Sequence, residues 1–314
     1  MKLLVTGGTG FIGAPLCRAL LQQGHELFVV TRTPEARTPQ PRLQYVAWRA
    51  SPSNSQVSTW QQVIANMDGV IHLAGASIAA GWSPPQKRLI QESRVQTTRR
   101  LVEAMAERPQ RPAVLITASA VGYYGPRGDE EVSEMESPGR GFLAETCQLW
   151  EGEAQRAEAL GVRVVRLRLG LVLGPEGGAL AKMAPPFRAW LGGPLGDGRQ
   201  WVSWIHREDA IGLMIWALEQ THLSGAVNAT APNPVTMREF CRKLAAVLRR
   251  PSWLPVPGVA LHLLLGEMAD LLLTGQRVIP RAALQRGYRF RFPELRHALE
   301  SCLVRRTEPT VGEG

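Results

Sequence analysis

Met1-Lys2-Leu3-Leu4-Val5-Thr6-Gly7-Gly8-Thr9-Gly10-Phe11-Ile12-Gly13 opens the chain. Leu3, Leu4 and Val5 form a short apolar run of the kind that becomes a buried strand. The glycine cluster follows at once, and Phe11, Ile12, Leu16, Ala19 and Leu20 then recur at helical spacing. The order is strand, tight turn, helix, with Gly7, Gly10 and Gly13 in the turn. A helix N-terminus carries unpaired backbone N–H groups and the positive end of a dipole. Glycine lets a pyrophosphate approach that backbone because no Cβ intervenes. A bare glycine turn also occurs in ordinary strand-helix connections; its placement between a strand and a helix favours a dinucleotide.

Working outward, strand and helix alternate through the first half. Strands are predicted over 2–6, 26–31, 43–47, 70–74, 113–117 and 163–168, and helices over 11–23, 56–66, 85–107 and 143–160. This order predicts an α/β protein, a Rossmann-type doubly wound parallel sheet covered on both faces, with a smaller C-terminal substrate lobe. Ligands then belong beyond the carboxyl ends of the strands. After Gly170 the pattern loosens: Gly174-Pro175, Gly177-Gly178, Pro185-Pro186, Gly192-Gly193-Pro194 and Gly196-Asp197-Gly198 predict turns. Helices resume over 207–219 and 237–249, the second capped by Thr236 with Glu239 three residues on. The organisation expected is a nucleotide-binding domain over 1–230 with an irregular insertion near 171–204, a C-terminal lobe over 231–303, and a disordered tail over 304–314.

The spacing Gly-x-x-Gly-x-x-Gly within Thr6-Gly7-Gly8-Thr9-Gly10-Phe11-Ile12-Gly13 resembles the extended short-chain dehydrogenase/reductase superfamily, which includes nucleotide-sugar epimerases and dehydratases. His72-Leu73-Ala74-Gly75 matches that superfamily's strand-end motif beside the cofactor. Arg168-Leu169-Gly170-Leu171-Val172-Leu173-Gly174-Pro175 matches its Arg-x-x-x-Val-tyrosine-Gly-Pro element, with Leu173 in place of the tyrosine. Trp204-Ile205-His206-Arg207-Glu208-Asp209 matches its Ile-His-x-x-Asp segment. Trp82, Ser93-Arg94, the run Ser119-Ala120-Val121-Gly122-Tyr123-Tyr124-Gly125, Trp150-Glu151, Gly192-Gly193-Pro194-Leu195-Gly196-Asp197-Gly198 and Gly275-Gln276-Arg277-Val278-Ile279-Pro280 resemble a narrower group. That group is the epimerase family proteins of the atypical branch, whose bacterial and plastid members are often labelled cell-division-inhibitor homologues. It carries its own C-terminal domain, which residues 251–303 resemble. The resemblance implies an NAD(P) site built from Gly7, Thr9, Gly10, Phe11, Ile12, Gly13, Leu73, Ala74, Gly75 and Arg168.

The end of the second strand selects the cofactor. An acidic residue there holds the adenosine ribose of NAD. Here the strand ends Val29-Val30-Thr31-Arg32-Thr33, and the first acid is Glu35, beyond Pro34. Arg32 can grip a 2′-phosphate in a charge-assisted pair, with Arg37 close behind. NADP(H) is therefore expected over NAD(H); the alternative is that Arg32 is simply a solvated loop charge. Asp68, before the fourth strand, reads first as a structural residue.

Catalysis is less well provided for. Enzymes of the superfamily use Ser or Thr with Tyr-x-x-x-Lys: the lysine lowers the tyrosine pKa, and the hydroxyl polarises a carbonyl. Ser119 fits the first role, or else is a polar turn residue. The helix expected to carry the pair has Leu143 and Cys147 at the corresponding positions. Tyr124 and Tyr123 are substitute phenols, and Glu145, Lys87, Arg94 and His206 are further candidates for acid–base or anion-binding work. Each has a structural alternative: aromatic packing, helix surface, or for His206 a satisfied bond at a strand end.

Composition bounds the rest. The 314 residues include 45% hydrophobic and 20% charged residues and carry a net charge of +9, as in an ordinary globular protein with a basic surface. The basic residues are dispersed, which argues against nucleic acid. Cys17, Cys147, Cys241 and Cys302 lie far apart and predict buried thiols rather than a zinc site or disulfides. No signal peptide or transmembrane span is read, so a cytoplasmic protein is expected. The apolar run 259–273 predicts a helix whose stripe Leu261, Leu264, Leu265, Met268 and Leu272 packs on the core or meets a partner. Two functions compete: an NADP(H)-dependent epimerase-like oxidoreductase with a small-molecule substrate, and a non-catalytic NADP(H)-binding regulator of a protein partner.

Overall fold

The computed structural model describes residues 1–48 and 59–304. Its centre is a seven-stranded, all-parallel sheet. The strands are β1 (Lys2–Thr6), β2 (Glu26–Thr31), β3 (Leu43–Ala47), β4 (Gly69–His72), β5 (Val114–Ala120), β6 (Arg163–Leu169) and β7 (Gly225–Ala229), in the spatial order 3-2-1-4-5-6-7. The order reverses between β1 and β4, so the switch-point crevice opens beside the glycine turn.

Apolar side chains on both sheet faces explain why helices cover both. On one face Leu3, Val5, Val29, Ile71 and Ile116 pack under α1 (Gly13–Gln22) and α5 (Arg207–Glu219). On the other, Leu4, Phe28, Val70 and Leu115 pack under α2 (Pro84–Ala106) and α3 (Phe142–Gln155), with Trp60 and Ile64 filling the edge. Ser83 caps α2, accepting from the Gln86 amide, and Pro84 takes the first helical position, where no amide bond is lost.

A third core joins the irregular stretch to the C-terminal part. Leu180 and Phe187 of α4 (Leu180–Arg188) meet Phe240 and Leu244 of α6 (Met237–Leu248) and Leu295 and Leu299 of α8 (Leu295–Leu303). Thr236 caps α6 as its spacing predicts, its hydroxyl accepting from the Glu239 amide at 3.3 Å.

Five expectations differ in detail. The fifth strand continues to Ala120 because each added residue pairs with β6, Ser119 opposite Arg168, so Ser119 lies inside the strand and not after it. The fourth strand stops at His72, and Leu73 and Ala74 continue beyond it beside Gly7. The stretch 171–204, read as turns, includes α4 despite Pro185 and Pro186. The run 259–273 is not one helix. It breaks into α7 (Gly258–Leu265), a 3-10 turn Gly266–Ala269 and a last turn Asp270–Leu273, because Gly266 takes a left-handed φ of 57°. Of its stripe, Leu261 is buried and Leu264 is exposed. The helix expected from 56 is a capped turn Trp60–Val63 running into Ile64–Asn66; its first residues, like the tail beyond Val304, lie outside the described residues. Among the described residues no helix is long and apolar enough to cross a membrane, and no cluster of His, Cys, Asp or Glu could hold a metal ion.

Candidate functional site

The turn at the end of β1 is shaped by what its glycines lack. Gly7 has φ 68°, and a Cβ on it would lie 2.8 Å from the Leu73 carbonyl carbon. A Cβ on Gly13, the first residue of α1, would fall on the Gly7 carbonyl oxygen. That oxygen instead accepts from the Gly10 amide at 3.0 Å. The amides of Phe11 and Ile12 donate to no protein acceptor among the described residues. Thr9 and Gly10 are exposed above them. The result is a bare backbone cradle at a helix N-terminus, which fits a dinucleotide pyrophosphate.

Phe11 contributes its backbone there, but its ring turns away. It lies under Gly174, Gly177 and Gly178, where any Cβ would strike it, and 4.8 Å from the Arg207 guanidinium. The Gly-Pro element is thus glycine-rich because it folds over an aromatic ring. Arg32 stands exposed just past β2, beside the turn, with Glu35 one residue into the 3-10 turn Pro34–Ala36. Asp68 lies at the amino ends of the central strands β1 and β4, away from the turn, and accepts from the Lys2 amide at 2.6 Å, a structural role.

A polar chain ties the turn to its neighbours. The Ala74 amide donates to Thr6 Oγ1 (3.3 Å), which lies 2.6 Å from His72 Nδ1; His72 Nε2 lies 3.0 Å from Thr98 Oγ1, which donates to the Arg94 carbonyl. With His72 neutral and protonated on Nε2, every group in the chain is satisfied. Burial, reinforced by the Arg94 cation, pushes its pKa down to about 3. The chain holds Leu73, Ala74 and Gly75 at the end of β4, next to Gly7.

The far end of the crevice is filled with side chains. Glu151 of α3 is buried and accepts from Ser119 Oγ at 2.6 Å and from Arg168 Nε and Nη2 at 2.9 Å each. Arg168 Nη1 donates to the Tyr124 hydroxyl at 2.8 Å, and that hydroxyl donates to Asn228 Oδ1 at 2.7 Å. Ser119, Tyr124 and Arg168 are each buried, at 2%, 0% and 3% exposed, so all three bond inward. Burial pushes the Tyr124 phenol up to about 12, against the pull of Arg168. Glu151 holds the Arg168 guanidinium in its charged form. Arg168 is therefore placed in this network and not at the turn.

The neighbouring positions complete the picture. Leu143 packs against Gly122, where an added Cβ would lie 3.3 Å away. Cys147 is buried near Ser119 and Ala120, its thiol pushed up to about 11 by burial. Tyr123 lies with its ring 3.5 Å from the Arg168 guanidinium carbon, and its hydroxyl has no protein partner among the described residues. Glu145 is exposed, and Lys87 pairs with Glu267. His206 caps α5, its Nδ1 accepting from the Glu208 amide at 3.2 Å, while burial pushes it down to about 4. Cys17, Cys147 and Cys241 are buried free thiols; Cys302 is half-buried.

Residues 3–229 match the model of the NAD dependent epimerase/dehydratase family. The chain belongs to that family. Residues 256–302 match a second model, a domain of unknown function termed DUF1731. An Arabidopsis thaliana protein, "Epimerase family protein SDR39U1 homolog, chloroplastic", is 41% identical over 96% of this chain and 87% of its own length. The Bacillus subtilis "Epimerase family protein YfhF" is 40% identical over 98% of this chain and 99% of its own. Among solved structures, human epimerase family protein SDR39U1 (isoform 2), crystallised with NADPH, superposes with a TM-score of 0.83 at 34% identity, covering 96% of this chain and 98% of that one. The resemblance read from the motifs is thus the family the chain belongs to.

Sequence reasoning passed over several residues of this edge. Glu151 carries the buried network, yet only its place in a motif marked it. The signal available was Arg166 and Arg168 set among apolar residues in a strand that Arg163 opens, since a buried guanidinium is best compensated by a carboxylate. Asn228 and Glu134 were also missed. Glu134 Oε1 accepts from the Asn228 and Ala282 amides, and Asn228 Nδ2 donates to the Ile279 carbonyl. The segment Gly275-Gln276-Arg277-Val278-Ile279-Pro280 is thereby strapped beneath the site.

Proposed function

We propose that this protein binds NADP(H) along the carboxyl edge of β1, β2 and β4, and acts as an epimerase-like oxidoreductase on a small molecule. One observation carries the reading. The bare cradle at Gly7, Gly10 and Gly13 has an exposed Arg32 beside it, where an NAD site carries an acid. The human relative crystallised with NADPH supports it. In this reading Gly10, Phe11, Ile12 and Gly13 hold the pyrophosphate, Thr9 borders it, and Arg32 takes the 2′-phosphate. Leu73, Ala74 and Gly75 floor the nicotinamide half. The bound nucleotide supplies a hydride donor or acceptor.

Acid–base roles then fall differently from the family pattern. Ser119 and Tyr124 act as positioning residues within the Glu151–Arg168 network. Tyr123, held on Arg168 with an unspent hydroxyl, is the phenol left to exchange a proton. A second reading, a non-catalytic NADP(H)-binding regulator, draws support from Leu143 and Cys147, which cannot exchange a proton as a Tyr-x-x-x-Lys pair does.

Fluorescence titration with NADPH and NADH tests the binding claim. Arg32→Asp should weaken NADPH by roughly 10–100-fold, the worth of a charge-assisted phosphate contact, and leave or improve NADH. Unchanged NADPH affinity would sink the assignment. Single-turnover oxidation of bound NADPH by a panel of small carbonyl compounds then separates the two readings. Turnover that Tyr123→Phe abolishes supports the enzyme; tight binding with no oxidation by any carbonyl supports the regulator.

A further inference from the structure

Arg94 is a half-buried cation with most of its donors unspent and, among the described residues, no carboxylate beside it. The arginines of β6 differ: Arg163 donates to the carbonyls of Ala217, Leu218 and Leu223, Arg168 to Glu151, Tyr124 and the Glu134 carbonyl, and Arg166 has the Glu151 carboxylate at 3.5 Å. Arg94, on α2, makes one hydrogen bond among the described residues, from Nη1 to the Ile90 carbonyl at 2.9 Å. A guanidinium carries five N–H donors. No carboxylate pairs with it among the described residues, and burial pushes its pKa down. None of its unspent donors is sealed away from solvent, so a ligand can reach them and supply acceptors to a partly desolvated, unpaired cation.

Its position says which ligand. The guanidinium lies along the Cα face of Gly75, where a Cβ would come within 3.1 Å of Cζ and 3.3 Å of Nη2. The loop is clamped over it: the Ala76 amide donates to Ser93 Oγ at 2.9 Å, and Ser93 Oγ donates to the same Ile90 carbonyl at 3.1 Å. The Trp150 ring centroid lies 5.4 Å away and fixes the other side. Cys147 stands near it as a neutral thiol, so α3 brings no cation of its own to this spot.

We propose that Arg94 donates to the hydroxyl oxygens of the sugar at the nicotinamide end of the bound dinucleotide. This rests on the reading that Leu73, Ala74 and Gly75 floor that half of the nucleotide. A vicinal diol presents two acceptors to a planar two-donor edge. Gly75 is the residue that lets such a ligand and the guanidinium meet at one level.

The test compares two probes, NADPH and adenosine 2′,5′-bisphosphate, which lacks the nicotinamide riboside. Their dissociation constants are measured by fluorescence and calorimetry on the wild-type chain, Arg94→Met, Arg94→Lys and the double variant Arg94→Met with Cys147→Lys. Arg94→Met should weaken NADPH by about tenfold or more and leave the bisphosphate within about twofold. Arg94→Lys should recover part of the loss, and a lysine at position 147 should restore binding by returning a cation to the same place from α3. The bisphosphate doubles as the check that each variant folds. Equal loss for both probes would overturn the proposal, because the role is then structural. So would unchanged NADPH affinity in Arg94→Met, including the case in which that variant loses binding of small carboxylates instead. A wild-type chain that binds neither probe overturns the underlying reading as well; one that binds both, with an indifferent Arg94→Met, overturns this proposal alone.

Discussion

The two ends of the crevice are built from opposite materials. At β1 the surface is backbone: Gly7, Gly10 and Gly13 leave amides bare, and Thr9 and Arg32 are exposed. At β5 and β6 it is side chain: Ser119, Tyr124, Glu151 and Arg168 are buried and bonded to one another. The first region can gain a ligand without breaking anything. The second would have to give up internal bonds to engage one. The proposed nucleotide binding and the proposed acid–base chemistry thus fall on physically separable regions of this fold, and substitutions at the two ends should separate them.

The largest effect is expected in the filled region. Arg168→Met removes the bidentate partner of Glu151, a carboxylate only 3% exposed, and leaves Arg166 at 3.5 Å as its sole remaining cation. Breaking a buried pair from one side costs about 3–5 kcal/mol. Chemical denaturation should register that loss, while NADPH affinity of the folded variant stays close to wild type. The reverse result, intact stability with lost affinity, would place Arg168 at the nucleotide, as its motif implies, and would erase the contrast between the two ends.

Gly13→Ala probes the bare region in the same way. The added methyl falls on the Gly7 carbonyl, so α1 or the turn must shift. Such overpacking costs about 1–3 kcal/mol. Here affinity should suffer more than stability, because the displaced backbone is the cradle proposed to meet the pyrophosphate. Circular dichroism melts and NADPH titration on one sample give both numbers. A variant that is destabilised but binds normally would show that the turn's geometry serves the fold alone.

The bare end was legible in the sequence and the filled end was not, for a physical reason. Gly7 and Gly13 are fixed by local conformation and close approach, and such constraints leave glycine at set spacings. Six of the seven strands were likewise legible as mainly apolar runs, as buried parallel strands are; β7, Gly225-Ala226-Val227-Asn228-Ala229, has no such run. The Glu151–Arg168 network joins α3 to β6, and Asn228 enters from β7, so its spacing in the chain carries no period. Ser119 was placed after its strand because Ala118, Ser119 and Ala120 lack the bulk of strand residues; pairing with β6 decides the matter instead. Gly266 broke the apolar run at 259–273, a case of backbone conformation overriding hydrophobic period.

His72 lies between the two ends and gives the smallest, most specific effect. It links Thr6 under the turn to Thr98 and the Arg94 carbonyl on α2. Its folded pKa is about 3 against an ordinary 6.5. The unfolded chain therefore binds the extra proton first as pH falls. The stability that neutral His72 contributes is fully present above about pH 6.5 and drains away toward pH 3, at up to about 1.4 kcal/mol per pH unit. His206, pushed down to about 4, adds a parallel slope over most of the same window, so the informative quantity is a difference. Urea midpoints for wild type and His72→Gln, taken from pH 7 to pH 4.5, should converge as pH falls, because the variant has no imidazole to protonate on unfolding. Parallel curves would mean that His72 takes up its proton in the folded state. The chain from Thr6 to Arg94 would then not be the neutral, fully satisfied link that holds the open end against the closed one.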